Sequence, residues 1–208
     1  MTHTRGRIKT ISPRFYDWLS LAAGVGDAHW QLVAQAAIGD DATVLEIGVG
    51  TGNVLLKVKR AVPASIAIGL DTSTASLAAA AGKAAPAGVE LRLDHGDAAE
   101  LPYPDATMDR VLSSFMFHHL PDEQSLATLR EVRRVLKPHG SLHLLDFVAG
   151  ARRPSRALAM LPGPLRDRRR PRPVDPLELM TQAGLASPVH LGEGRSRLGR
   201  HTFYRASR

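Results

Sequence analysis

Three carboxylates and a pair of histidines carry most of the chemistry open to this chain. Glu46 stands in VLEIGVGTGN (residues 44–53), two positions before Gly48 and inside an otherwise apolar run. Asp71 closes SIAIGLD, and Asp97 follows VELRLDHG. A carboxylate at the end of a buried strand is costly unless a positive group or hydrogen-bond donors meet it. In folds of this kind a carboxylate ending the second strand accepts hydrogen bonds from both hydroxyls of a ribose. The three acids together ask for a ligand that brings an ammonium group, a ribose and an adenine-like amine.

S-adenosylmethionine carries all three groups. A nicotinamide dinucleotide fits less well, because its pyrophosphate would lie among three carboxylates with no basic residue in the turn. Its GxGxxG fingerprint also fails here. The glycines fall at 48, 50 and 52, and the place of the third fingerprint glycine is taken by Asn53.

The elements that must position these acids alternate between strand and helix. TVLEIGV is a β-branched, apolar run suited to a buried parallel strand. GNVLLKVKRAV follows with Val54, Leu55, Val58 and Val62 near helical spacing, stopped by Pro63. SIAIGLD reads as a second strand, STASLAAAAGKAA as a helix, VELRLDHGD (89–97) as a third strand and DRVLSSFMF (109–117) as a fourth. PDEQSLATLREVRRVL is the clearest helix, opened by Pro121 and Asp122 and followed by Lys137-Pro138. GSLHLLDF is a fifth strand. DPLELMTQAGL is a short helix with Asp175 as N-cap, and SPVHLGEGRSRLGRHTFYRAS reads as two strands joined by a Gly-rich turn. Such repeats predict an α/β, doubly wound sheet with helices on both faces and right-handed crossovers. Its ligand crevice lies where strand order reverses.

With 208 residues and 44% hydrophobic content the chain can bury one sizeable core, and one domain is expected over 1–208. Within it, residues 1–40 are expected to be a helical lid and 41–150 the cofactor-binding core. Residues 151–174 read as an Arg/Pro-rich variable segment, and 175–208 as the last helix and strands. Neither a secretory signal nor a membrane span is visible, so a soluble cytoplasmic protein is expected. The absence of cysteine excludes disulfides, thiolate metal sites and cysteine nucleophiles. Residues 1–150 carry 14 Lys+Arg against 16 Asp+Glu, whereas residues 151–208 carry 13 Arg against 4 acids. The whole positive excess is therefore C-terminal and all arginine, which fits either compositional bias or an anionic partner.

VLEIGVGTGN, GLD, GDAAELPYPDATMDRVLSSFMFHHLPD and EVRRVLKPHGSLHLLDF together resemble the successive motifs of the class I S-adenosylmethionine-dependent methyltransferases. The likeness is to the small-molecule group that includes quinone-biosynthesis enzymes, and it covers about residues 40–150. It implies a seven-stranded, mostly parallel sheet with an antiparallel last strand. It further implies that Glu46 organises the methionine amine and that the backbone of Gly48, Gly50 and Gly52 passes close to the cofactor. Asp71 would bind the ribose, Thr72 would line the adenine, Asp97 would take the adenine amine and Ala98 would donate from its backbone. Ser114 would lie at the methionine end, and Tyr16, in a YD segment like that of the quinone enzymes, would touch the cofactor. Two departures set this chain apart from the quinone enzymes: HHL replaces their Arg-Asn-Val segment, and DFVAG replaces their usual sequence after strand five.

Methyl transfer needs the acceptor held close and aligned, and a base helps where the acceptor must lose a proton. His118 in FHHLPD is the candidate base, the alternative being that one histidine of the pair only caps or packs the loop. Asp146, ending strand five, either faces the acceptor or caps the loop. No metal is expected, since adjacent residues on an extended segment point to opposite sides and no third ligand stands at metal-site spacing. The expected acceptor is a small molecule or lipid-like compound such as a quinone precursor, with peripheral contact to an anionic membrane surface through the arginine segment. The alternative from another class is an RNA-directed methyltransferase or RNA-binding protein using that same segment. SSFMFH, standing where amino-group methyltransferases of nucleic acid carry Asn/Asp-Pro-Pro-aromatic, counts against it.

Overall fold

A computed structural model describes residues 24–148, 174–197 and 199–208. Its elements run α1 (Val25–Ala36), β1 (Thr43–Ile47), α2 (Asn53–Ala61), β2 (Ile66–Asp71), α3 (Thr74–Ala84), β3 (Arg92–His95), β4 (Met108–Ser114), a 3-10 turn (Phe117–His119), α4 (Asp122–Val135), β5 (Leu136–Phe147), α5 (Pro176–Gln182), β6 (Ala186–Ser196) and β7 (Gly199–Ser207). One seven-stranded sheet has the order β3-β2-β1-β4-β5-β7-β6. The first five strands are parallel, and β7 runs antiparallel to both β5 and β6. Strand order reverses between β1 and β4, so their carboxyl ends frame the crevice expected of an open α/β sheet.

β1 shows why the central strands need no alternation. Four of its five residues are buried, because both faces of the sheet are covered. Leu45 and Ile47 enter a core closed by α4 and α5 through Leu129, Val132, Val135, Leu179 and Met180. Val44 enters a second core closed by α1 and α2 through Leu32, Val33, Val54, Leu55 and Val58. Asp175 caps α5 as expected, accepting from the Leu177 amide at 3.0 Å.

Several strand boundaries differ from the sequence expectation, two of them beside the crevice. The third strand shrinks from 89–97 to Arg92–His95, since it is an edge paired with β2 alone and its residues are at most half-buried. The fourth ends at Ser114, not Phe117, because Phe115 adopts a left-handed φ of 53° and the chain then coils into the 3-10 turn. The histidine pair is therefore not extended, as its spacing had suggested. The two rings lie side by side with centroids 3.8 Å apart. Of the expected N-terminal lid, the described part is α1, which packs into the second core. Tyr16, the rest of that lid and nearly all of the arginine segment on which the membrane and RNA readings rest lie outside the described residues. Among the described residues no helix is long and apolar enough to cross a membrane.

Buried imidazoles, His29 and His143 foremost, make stability depend on pH. Burial lowers the pKa of His29 from 6.5 to about 4, with Lys57 and His201 adding to the effect. Burial lowers that of His143 equally, helped by Arg110 and Arg205. Both stay neutral in the folded chain while the unfolded chain protonates them, so the stability they contribute is present above pH 6.5 and is lost as pH falls towards 4. Each loses about 2 kcal/mol between pH 6.5 and 5. Glu46 works in the opposite direction, because burial raises its carboxyl pKa and the folded chain takes up that proton first. Denaturant titrations at pH 7.5 and 5.0 should show a lower midpoint at pH 5.0, and His29→Gln should flatten the difference. The same change of midpoint with pH in the parent chain and in His29→Gln would rule the effect out.

Candidate active site

The crevice is an open cleft of about 430 Å³ along the carboxyl ends of β1, β2 and β4. Its walls come from four places. The first is the loop after β1, with Gly48, Gly50 and Thr51, and the second is the end of β2 with the head of α3, bringing Asp71, Thr72, Ser73 and Ser76. The third is the turn after β3, with Gly96, Asp97 and Ala98. The fourth is the segment from Ser114 into α4, with Phe115, Met116, His119, Gln124 and Thr128. Among the described residues, no Lys or Arg lines it.

Asp71 ties two of these walls together. One carboxylate oxygen accepts the Gly50 amide and the other the Ser73 amide, each at 2.8 Å. The glycine loop is thus pinned to the end of β2, and the same side chain orders the start of α3, where the Ser73 hydroxyl accepts from the Ser76 amide. Charge-assisted bonds of this kind rank among the stronger ones in a fold. Asp97 is exposed and accepts the Ala99 amide at 2.9 Å, which holds the turn after β3.

Glu46 is 2% exposed and does not reach the cleft wall. It sits against the first turn of α2, where the Leu55 amide donates to it, and its Oε2 has no partner. Burial raises its pKa well above the usual carboxylate range, with the Asp71 charge adding to the effect. Ser114 ends β4 with a buried hydroxyl that also has no partner, and so does Thr128 on α4. Unpaired buried polar groups around a cleft mark places where a ligand or its waters complete the hydrogen bonding.

The glycines divide the work. Gly48 and Gly50 line the cleft, with φ of 68° and 52°. A Cβ on Gly48 would meet Met116 Cγ at 2.6 Å, whereas one on Gly50 would meet nothing within 4 Å and would project into open space. Gly52 lies at the head of α2 and packs against Ala80.

The histidines are positioned differently from one another. His119 lines the cleft, while His118 is anchored behind it on Asp146: the His118 amide donates to one carboxylate oxygen at 2.8 Å, and its Nδ1 lies 2.6 Å from the other. Asp146 therefore caps the turn, one of the two roles the sequence leaves open for it.

Of the eleven sequence-predicted residues, Gly48, Gly50, Asp71, Thr72, Asp97, Ala98 and Ser114 share the cleft. Glu46 and Gly52 support it from behind, His118 adjoins it, and Tyr16 is outside the described residues. The sequence reading named both histidines but preferred His118 to the cleft-lining His119, and it missed Gln124 and Thr128. Thr128 had a legible signal, as a polar residue in the buried stripe Ser125, Leu129, Val132 of α4. The donor set fits S-adenosylmethionine: acceptors for a ribose and an amine, an open glycine backbone, unpaired polar groups towards one end and, among the described lining residues, no cation to greet a pyrophosphate.

Known proteins agree with this geometry. Residues 44–140 match the family model described as Methyltransferase domain. The chain is 37% identical over 142 residues to the demethylmenaquinone methyltransferase of Deinococcus radiodurans, covering 66% of this chain and 57% of that protein. It is 33% identical over 147 residues to the ubiquinone/menaquinone biosynthesis C-methyltransferase of Syntrophotalea carbinolica, covering 69% and 61%. The match thus spans about three fifths of the length of these relatives. A solved SAM-dependent methyltransferase from Aquifex aeolicus superposes with a TM-score of 0.66 at 18% identity, covering 94% of this chain and 99% of that one, which speaks to the fold. Sheet order, cleft and motif match agree, and the chain belongs to the class I S-adenosylmethionine-dependent methyltransferases.

Proposed function

We propose that the chain transfers a methyl group from S-adenosylmethionine to a small-molecule acceptor, a quinone precursor or similar lipid-like ring compound. The observation that carries this reading is the cleft at the strand reversal. It brings together Asp71, Asp97, the open backbone of Gly50 and the unpaired Ser114 hydroxyl, with no cation among the described residues that line it. The names of the relatives support the acceptor class.

When bound, S-adenosylmethionine supplies an electrophilic methyl group on a sulfonium sulfur. The residues of the chain then have three tasks. Asp71 holds the ribose hydroxyls, with Thr72 beside the purine, and Asp97 with the Ala98 amide takes the purine edge. Ser114, with Glu46 acting from beneath the loop, completes the polar surroundings of the methionine end. His118, whose ring lies against that of the cleft-lining His119, would take up the proton that the acceptor gives up.

Titration calorimetry separates this reading from a nicotinamide oxidoreductase. S-adenosylhomocysteine should bind with one-to-one stoichiometry, and NADH should give no binding heat. Comparable binding of NADH, or silence with S-adenosylhomocysteine, would overturn it.

A further inference from the structure

We propose that Asp146 is a positioning residue for His118 and selects which of its ring nitrogens carries the proton. The inference rests on reading His118 as the base that takes the acceptor's proton. Asp146 is 4% exposed and holds three donors. Its Oδ1 lies 2.6 Å from His118 Nδ1 and accepts the Phe147 amide at 2.7 Å, while Oδ2 accepts the His118 amide at 2.8 Å. A carboxylate only accepts, so Nδ1 carries a proton, and in the neutral ring the lone pair falls on Nε2. A second set of contacts fixes the plane of the ring: His119 lies against it at 3.8 Å, and Phe147 meets it edge-on at 5.1 Å and 69°. With Nδ1 engaged by Asp146, Nε2 is the nitrogen left to receive a proton, on a side chain that keeps 17% of its surface exposed.

The same geometry explains why an amide cannot replace this carboxylate. Both oxygens face backbone N–H groups, so asparagine must set its NH2 against one of them in either orientation. With NH2 towards Phe147, it also faces Nδ1 and forces that nitrogen to accept, which moves the proton to Nε2. With NH2 towards the His118 amide, the oxygen still faces Nδ1, but the cap on the turn is lost and the segment that carries the ring is loosened. The base then either presents the wrong nitrogen or sits on a turn without its cap.

The test combines ring-nitrogen spectroscopy with kinetics on the full chain. Long-range 1H–15N spectra of 15N-histidine protein, with His118 assigned through His118→Gln, should show the Nδ1–H tautomer in the parent chain. Asp146→Asn should shift that signal towards Nε2–H. With the reduced, quinol form of demethylmenaquinone as acceptor probe, kcat should fall roughly 100-fold or more in Asp146→Asn, as it does when an orienting carboxylate is removed from a catalytic histidine. KM and the affinity for S-adenosylhomocysteine should change little, and the Asp146→Asn/His118→Ala double variant should be no slower than His118→Ala alone. An Nε2–H tautomer in the parent chain overturns the inference even if the variant fails to fold. So does an undiminished kcat in Asp146→Asn when His118→Ala is slow. An undiminished kcat in His118→Ala instead removes the base reading itself, and that arm tells the two failures apart.

Discussion

Asp71→Ala should weaken S-adenosylhomocysteine binding by roughly 100-fold or more, about 2.7 kcal/mol. The size follows from what the side chain holds before any ligand arrives. Its two oxygens accept the Gly50 and Ser73 amides at 2.8 Å each, so one carboxylate fixes both the glycine loop and the head of α3. Hydrogen bonds to a charged group are worth about 1.5–3 kcal/mol each, and alanine leaves two amides without their acceptor in addition to removing the ribose contact. Asp97→Ala provides the internal comparison. Asp97 is exposed and holds the Ala99 amide alone, so its loss should weaken binding only about 10-fold. Calorimetry on both variants checks the ranking. Equal losses, or an Asp71→Ala protein that binds like the parent, would show that Asp71 does not organise the site.

Two alanine substitutions only two residues apart should have opposite profiles. Both Gly48 and Gly50 have positive φ, which costs an alanine about 1–2 kcal/mol. At Gly48 the added Cβ would also lie 2.6 Å from Met116 Cγ and 3.0 Å from Met116 Cβ. Met116 cannot escape by moving only the end of its side chain, because the second contact is next to its backbone, and overpacking of this kind adds about 1–3 kcal/mol. Met116 also leads into the 3-10 turn that carries His118 and His119, so the strain reaches the proposed base. Gly48→Ala should therefore lower stability by roughly 2–4 kcal/mol, read from denaturant midpoints. Gly50→Ala should show the backbone strain alone, since its Cβ would meet nothing within 4 Å. That open space is the cleft, so Gly50→Ala should keep most of its stability and still lose S-adenosylhomocysteine affinity. If Gly50→Ala binds normally, the loop backbone does not approach the ligand there.

How far the site was legible depends on the separation of its parts along the chain. Glu46, Asp71 and Asp97 each follow a short apolar or alternating run, and a strand end is a local feature that a period of two residues reveals. The glycine spacing and Asn53 were equally local, and together these features pointed to the ligand class before any fold was known. Strand limits were less secure where packing decides them. β3 is short because it has a neighbour on one side only, and β4 stops at Ser114 because Phe115 takes a left-handed backbone that its residue type does not announce.

By itself the sequence determined the order of strands and helices, the carboxylates at the strand ends and the cofactor they suit, since each depends on residues within one or two turns of chain. The tertiary structure decided how the histidine pair sits. Asp146 lies 28 residues beyond His118, and the two meet because β4 and β5 are neighbours in the sheet. It also decided that Glu46 supports the loop from beneath instead of lining the cleft, and that Thr128 of α4 joins its wall. Such contacts follow from strand order and from backbone angles at single residues, which no periodic pattern along the chain encodes.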